Sequence, residues 1–175
     1  VYPGPQTEGV TKTFNPRSNN ISLAQFGFIV IEVGNRGGHP QRSKWYHNYG
    51  YGNLRDYGLA DKKAAIEQLA RRYSYIDINR VGIWGHSGGG YATADAMFRY
   101  PDFFKVGISE SGNHDNRNYE DDWAEKWQGL LENQSSGASN YDNQANQLVA
   151  HQLKGKLLLA HGTMDSNVPP SSTLI

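Results

Sequence analysis

The chain has 175 residues, 37% of them hydrophobic, with 17 basic and 17 acidic side chains and no cysteine. That length favours one domain at ~150 residues per domain, and the zero balance removes the electrostatic case for nucleic acid or an anionic membrane as main partner. The missing cysteine excludes disulfides, thiolate catalysis and cysteine-bound zinc, and no apolar run approaches the ~18 residues of a membrane helix.

The chain begins at Val1 and stops at Ile175 in what reads as a loop or an incipient helix. Both ends read as cut, so a fragment of a longer protein is expected. Phe26 to Val33 (FGFIVIEV) is a continuous apolar, β-branched run before Gly34, the pattern of a strand buried on both faces. From Leu59 to Tyr73, the apolar residues Leu59, Ile66, Leu69, Ala70 and Tyr73 share one helical face. Arg71 and Arg72 stand near the C-terminus, where the dipole favours cations. Val81 to Trp84 (VGIW) is a second strand, and Gly88 to Tyr100 a second helix that stops before Pro101.

Lys105 to Ser109 (KVGIS) is a weaker third strand, and Tyr119 to Leu131 a third helix. Residues 132–140 (ENQSSGASN) are polar and turn-rich, a surface loop. A fourth helix over Asn143 to Leu153 precedes a fourth strand, Lys156 to Ala160 (KLLLA). Strand and helix in alternation predict an α/β fold, a mostly parallel sheet with helices on both faces, without an internal domain boundary.

The chemistry concentrates in Gly85-His86-Ser87-Gly88-Gly89, which fits G-x-S-x-G between a strand and a helix. A nucleophile on so tight a turn needs tiny neighbours, which Gly85 and Gly89 supply. The following helix N-terminus directs its dipole and free N–H groups at developing negative charge. The competing reading of Ser87 is a helix-capping serine in a glycine-rich turn. A serine nucleophile needs a base, and the base a carboxylate to orient it. Asp165 follows the KLLLA strand, in a loop at the same C-terminal edge of the sheet as Ser87; its competing reading is a turn aspartate. In α/β-hydrolases the histidine comes last along the chain. None of the six histidines, His39, His47, His86, His114, His151 and His161, follows Asp165. His86 should point away from the serine hydroxyl, and His161 reads as a structural residue. The catalytic histidine is expected beyond residue 175, and this chain alone is expected to have little or no activity.

The segments VYPGPQ, GNRGG, GIWGHSGGGY and LLLAHGTMDSNV, in that order, resemble the catalytic domain of the prolyl oligopeptidase family of serine peptidases. The stretch SGNHDNRNYEDDWAEKWQGLL is similar to bacterial members of the dipeptidyl peptidase IV-like branch. The resemblance implies an α/β-hydrolase domain, here truncated at both ends, that pairs with a β-propeller absent from this chain. It implies Ser87 as nucleophile, Asp165 as triad acid, and the Tyr2 hydroxyl and Gly88 N–H as oxyanion donors. It also implies a substrate pocket lined by Tyr119 and Trp123, with Asn167 and Val168 beside it. For Tyr119 and Trp123, a helix's core face is the competing reading. Relatives often carry tyrosine where Gly88 stands. The substrate implied is a short peptide, with release of N-terminal dipeptides, and a periplasmic or secreted setting. No metal or cofactor is implied, and a second copy of the chain is a candidate partner. Two alternatives stay open, a carboxylesterase of the same fold and a non-catalytic scaffold derived from a hydrolase.

Overall fold

The computed structural model describes Tyr2, Val10 and residues 13–16, 18–54 and 57–175. Three parallel strands, β1 (Val81–His86), β2 (Phe104–Glu110) and β3 (Lys156–Ala160), form a sheet in the order β1-β2-β3. In chain order the helices are α1 (Ser18–Gln25), α2 (Lys44–His47), α3 (Tyr57–Arg72), α4 (Gly88–Arg99) and α5 (Asp121–Gln128). The α/β class expected from the alternating pattern is the class observed. No described helix is long and apolar enough to cross a membrane.

The core lies between α4 and one face of the sheet. Gly88 through Phe98 are all buried, and Tyr91, Ala92, Ala94, Ala96, Met97 and Phe98 cluster with Phe104 and with Leu59 of α3. Fully burying a side chain such as Met97 or Phe104 contributes about 1.5–3 kcal/mol. Small residues make the contact close. A Cβ on Gly107 would lie 2.7 Å from Met97 Cγ, and one on Gly90 would lie 2.4 Å from the Glu110 carbonyl oxygen. The Ser109 hydroxyl donates to the Gly90 carbonyl at 2.8 Å, fastening the first turn of α4 to the end of β2. On the other face Trp84, Val106, Ile108 and Leu158 remain between 39% and 58% exposed.

Two expected elements are corrected. The strand expected over Phe26 to Val33 is not formed: residues 26–27 are a turn and residues 28–35 carry no strand. After α1 the chain turns at Gly27 (φ +87), and Phe26, Phe28 and Ile29 are exposed. A strand is defined by its ladder, and no described segment offers this run one. The helix expected over Asn143 to Leu153 is instead three short 3-10 turns, Asp142–Gln144, Asn146–Leu148 and Ala150–Gln152. Its amides are engaged elsewhere. Asn143 Nδ2 donates to the Gly52 carbonyl, Gln144 Oε1 accepts from the Asn116 N–H, and Asn146 Nδ2 donates to the Tyr91 carbonyl. Such side-chain bonds compete with a regular helix. The third expected helix is shorter than predicted, closing at Gly129 (φ +86).

Helix propensity alone predicts that Gly90→Ala stabilises α4 by about 1 kcal/mol. The contact with Glu110 reverses the sign, and a loss of about 1–3 kcal/mol is expected from overpacking against backbone. Urea unfolding of the two proteins decides between the signs.

Candidate active site

Ser87 is the residue between β1 and α4. Its φ of 57 and ψ of −123 lie in a region that L side chains rarely adopt. Two hydrogen bonds hold it there. Its N–H donates to the Glu110 carbonyl at 2.8 Å, and its own carbonyl accepts from the Tyr91 N–H at 3.1 Å. Gly85 permits the turn, since a Cβ there would lie 2.4 Å from the Gly89 carbonyl oxygen. The Ser87 hydroxyl makes no capping bond to α4. The helix-capping reading therefore has no bond behind it, and the half-buried side chain stands at the mouth of the turn.

The registers His86↔Glu110 and Glu110↔Ala160 bring the C-terminal ends of the three strands to one edge. Two inter-strand spacings, about 10 Å in all, separate the backbone of β1 from that of β3 there. Asp165 lies in the loop that leaves β3, and its Oδ1 accepts from the N–H groups of Asn167 and Val168, both at 3.0 Å. Those two bonds, first Val168 and then Asn167, hold its carboxyl below the usual aspartate value, helped by the Ser111 hydroxyl and by His161. Asp165 is thus a carboxylate at neutral pH.

His161 stands 3.7 Å from Asp165 Oδ2 through Nε2. The same nitrogen lies 2.9 Å from the Val168 carbonyl, and Nδ1 lies 2.7 Å from the Thr173 hydroxyl. A carbonyl oxygen only accepts, so Nε2 is the protonated nitrogen. His161 therefore braces the loop, as expected of a structural histidine. His86 reaches across to Glu110 of the neighbouring strand, 3.8 Å away, with its side chain 66% exposed.

The residues named for the substrate pocket share one region. The Tyr119 hydroxyl donates to Asn167 Oδ1 at 3.2 Å, and its ring meets Trp123 edge-on, with centroids 5.8 Å apart. Burial pushes the Tyr119 phenol up, with Glu120 and Tyr2 acting in the same direction. Tyr2 is therefore an electrostatic neighbour of Tyr119; the Gly4-Pro5 part of its motif lies outside the described residues. Val168 is only 1% exposed, and it offers Asp165 its backbone N–H while its side chain joins the interior. Among the described residues no three of His, Asp and Glu gather in a metal-binding group.

Sequence reasoning missed the polar layer behind this edge. Ser111, Asn113, His114, Asp115 and Asn116 are all buried. Asp115 takes bonds from the Arg117 guanidinium and N–H and from Gln147. Burial acts to raise its pKa, and these bonds outweigh it, so the net direction is down. His114 Nδ1 lies 2.9 Å from Asn146 Nδ2, a donor, so it is the accepting nitrogen. The alternation of S-G-N-H-D-N carried no periodic signal that separates such a layer from a surface turn.

A parallel sheet with helices packed on it, and a serine in left-handed backbone between strand and helix, define an α/β-hydrolase-type fold. Residues 14–175 match the family model described as prolyl oligopeptidase family. The chain belongs to that family. It is 30% identical to human dipeptidyl peptidase 8 over 181 aligned residues, covering 100% of this chain and 20% of the relative. It is 28% identical to venom dipeptidyl peptidase 4 of Apis mellifera, covering 100% and 23%. The solved structure of Porphyromonas gingivalis dipeptidyl peptidase 4 superposes with a TM-score of 0.71 at 32% identity, covering 81% of this chain and 20% of that one. The chain thus spans about a fifth of the length of these relatives.

Burial holds His114 down to about 4, with His161 adding to the effect. An unfolded histidine titrates near ~6.5, so the unfolded chain binds the proton first as pH falls. Stability from the neutral ring is complete above ~6.5 and is lost between there and about 4, by up to about 3 kcal/mol. His114→Asn should flatten the melting temperature against pH across that window. An unchanged slope would exclude His114 as its source.

Proposed function

We propose that the protein is the catalytic part of a serine peptidase that cleaves peptide bonds through an acyl-enzyme and releases dipeptides from N-termini. The observation that carries this reading is Ser87, held in left-handed backbone on the sheet edge that also carries the ionised Asp165. The names of the relatives, dipeptidyl peptidases, support the substrate class.

In this reading Ser87 Oγ attacks the substrate carbonyl, and its proton passes to a histidine from outside these 175 residues. Asp165 receives the imidazole N–H and stabilises the imidazolium. One Asp165 oxygen is already occupied by the two backbone N–H groups, which leaves Oδ2 for that ring. The oxyanion is held by the Gly88 N–H, which as the first helical residue has no intrahelical partner, and by the Tyr2 hydroxyl. Tyr119 and Trp123 form the apolar wall beside the cleaved bond. Asn167, already accepting from Tyr119, orients the peptide, and Val168 fixes the loop beneath it. A β-propeller from the remainder of the protein restricts access to short peptides. The expected setting is periplasmic or secreted, and a second copy is a candidate partner.

The full-length protein tests the reading. It should release nitroaniline from a dipeptidyl nitroanilide faster than it hydrolyses a short acyl ester, and a fluorophosphonate should label Ser87. Ser87→Ala should cost up to ~10⁶ in kcat, and Tyr2→Phe about 10²–10³ if its hydroxyl is an oxyanion donor. Ester hydrolysis with no peptide cleavage would assign a carboxylesterase, and no labelling a non-catalytic scaffold.

A further inference from the structure

A stretch of the chain beside α5 has a composition that the proposed mechanism does not use. Between Glu32 and Asp56 there is no acidic residue, while Arg36, Arg42, Lys44 and Arg55 are basic and Trp45, Tyr46, Tyr49 and Tyr51 are aromatic. Arg55 lies outside the described residues. In a chain whose total charges balance, such a run sets up a local positive field.

The cations differ in how they are held. Arg36 is neutralised by Asp61, 2.8 Å away, and lies over the Tyr49 ring at 4.5 Å. Arg42 lies over the Tyr46 ring at 4.4 Å. A ring orders a cation without cancelling its charge. The Tyr46 ring is itself fixed, because its hydroxyl donates to the Asn35 carbonyl at 3.0 Å. The Ser43 hydroxyl caps α2 by accepting from the Tyr46 N–H. Lys44 is the exposed first residue of that helix, and Trp45 beside it is 88% exposed.

This run lies next to the candidate site. Trp127 follows Trp123 by four positions on α5, so the two rings share a face about 5–6 Å apart. The His47 ring meets Trp127 edge-on with centroids 5.9 Å apart, and the Gly52 N–H donates to the Trp127 carbonyl at 3.0 Å. An extended peptide covers those two steps in about three residues, at ~3.3–3.6 Å each. The acids of α5, Asp121, Asp122 and Glu125, fall away from the Trp123 and Trp127 face of a 3.6-residue turn.

Resting on the peptidase reading, we infer that the loop over residues 36–52 is a secondary binding surface for acidic peptide substrates, with Arg42 and Lys44 meeting a carboxylate about three residues beyond the one in the pocket. An enzyme that releases dipeptides leaves only two residues, with a free ammonium, before the cleaved bond. The carboxylate therefore belongs to the leaving side, near the fifth residue of the substrate. Arg42 and Lys44 touch no reacting atom and act on binding.

The test uses the full-length protein and three hexapeptides that differ only in carrying Glu, Gln or Lys at the fifth position, with release of the N-terminal dipeptide followed by mass spectrometry. At low salt kcat/KM should fall in the order Glu, Gln, Lys, with about three- to ten-fold between the first two, the scale of one or two exposed ion pairs. The difference should sit in KM and vanish at ~1 M salt, where charges are screened within ~3 Å. Arg42→Gln with Lys44→Gln should level the three peptides. Arg42→Glu with Lys44→Glu should reverse their order, a gain for the Lys peptide that unfolding cannot produce. Both side chains are exposed, so the melting temperatures should stay at the parent's. Equal kcat/KM for the three peptides with the parent protein would overturn the inference and leave the peptidase reading standing, as would an order unchanged in both double variants. Dipeptide release from none of the peptides would overturn the reading on which the inference rests.

Discussion

The close approach of α4 to the end of β2 governs the geometry of this molecule. The Gly90 Cα lies against the Glu110 carbonyl so tightly that no side chain fits, and the Ser109 hydroxyl bonds the Gly90 carbonyl from the same strand. With the helix pinned there, only one residue remains to connect β1 to its first turn. That residue must reverse the chain within a single peptide, which forces Ser87 into left-handed backbone. The strain, roughly 1–3 kcal/mol at such positions, is met by the buried face of α4, whose side chains from Tyr91 to Phe98 make the core. Packing energy from the middle of the helix thus sustains an unfavourable conformation at its beginning.

The second consequence is electrostatic. The edge that carries Ser87 is backed by polar side chains, and their bonds are mostly local. Asp115 is met by Arg117, Asn113 Nδ2 donates to Asn116 Oδ1, and His114 accepts from Asn146. Arg117 also reaches Asp142, joining this layer to the 3-10 segment that follows. Buried polar groups cost free energy unless partnered; in this layer most side chains make at least one bond, while His114 Nε2 and Asn116 Nδ2 are buried without a partner. Here its bonds tie the segment after β2 to the 3-10 turns and, through Asn146 and the Tyr91 carbonyl, to the first turn of α4.

Much of the sheet and the strained turn at Ser87 was legible because their signals are short-range. VGIW, KVGIS and KLLLA are apolar runs that do pair, and the glycines around Ser87 have steric roles readable from type alone. The placement of Asp165 in the loop after β3 was legible from the strand that precedes it. FGFIVIEV has the strongest strand composition in the chain and forms none among the described residues, since composition cannot supply a ladder partner. The segment after Asn143 carries helical spacing, but its amides bond to groups as distant in sequence as Gly52 and Tyr91. Ser111 was illegible for a third reason. Positive φ in a serine has no signature, and the carbonyl that its N–H meets, that of Ala160, belongs to another strand.

The carboxylate and the hydroxyl differ in how their positions are secured, and the difference bears on what a third group must do. Asp165 is held by N–H groups of its own loop, a local arrangement that forms as soon as the turn over residues 162–168 closes. Ser87 is held by a bond across strands and by a helix packed on the sheet, a non-local arrangement that exists only when the domain has folded. Each is held by bonds of its own. In the proposed reading, an imidazole entering between them meets an acceptor on one side and a hydroxyl on the other. Its binding then orders one side chain and not three, so little of the interaction energy is spent on organising the site. That is the condition under which electrostatic stabilisation acts fully on the transition state.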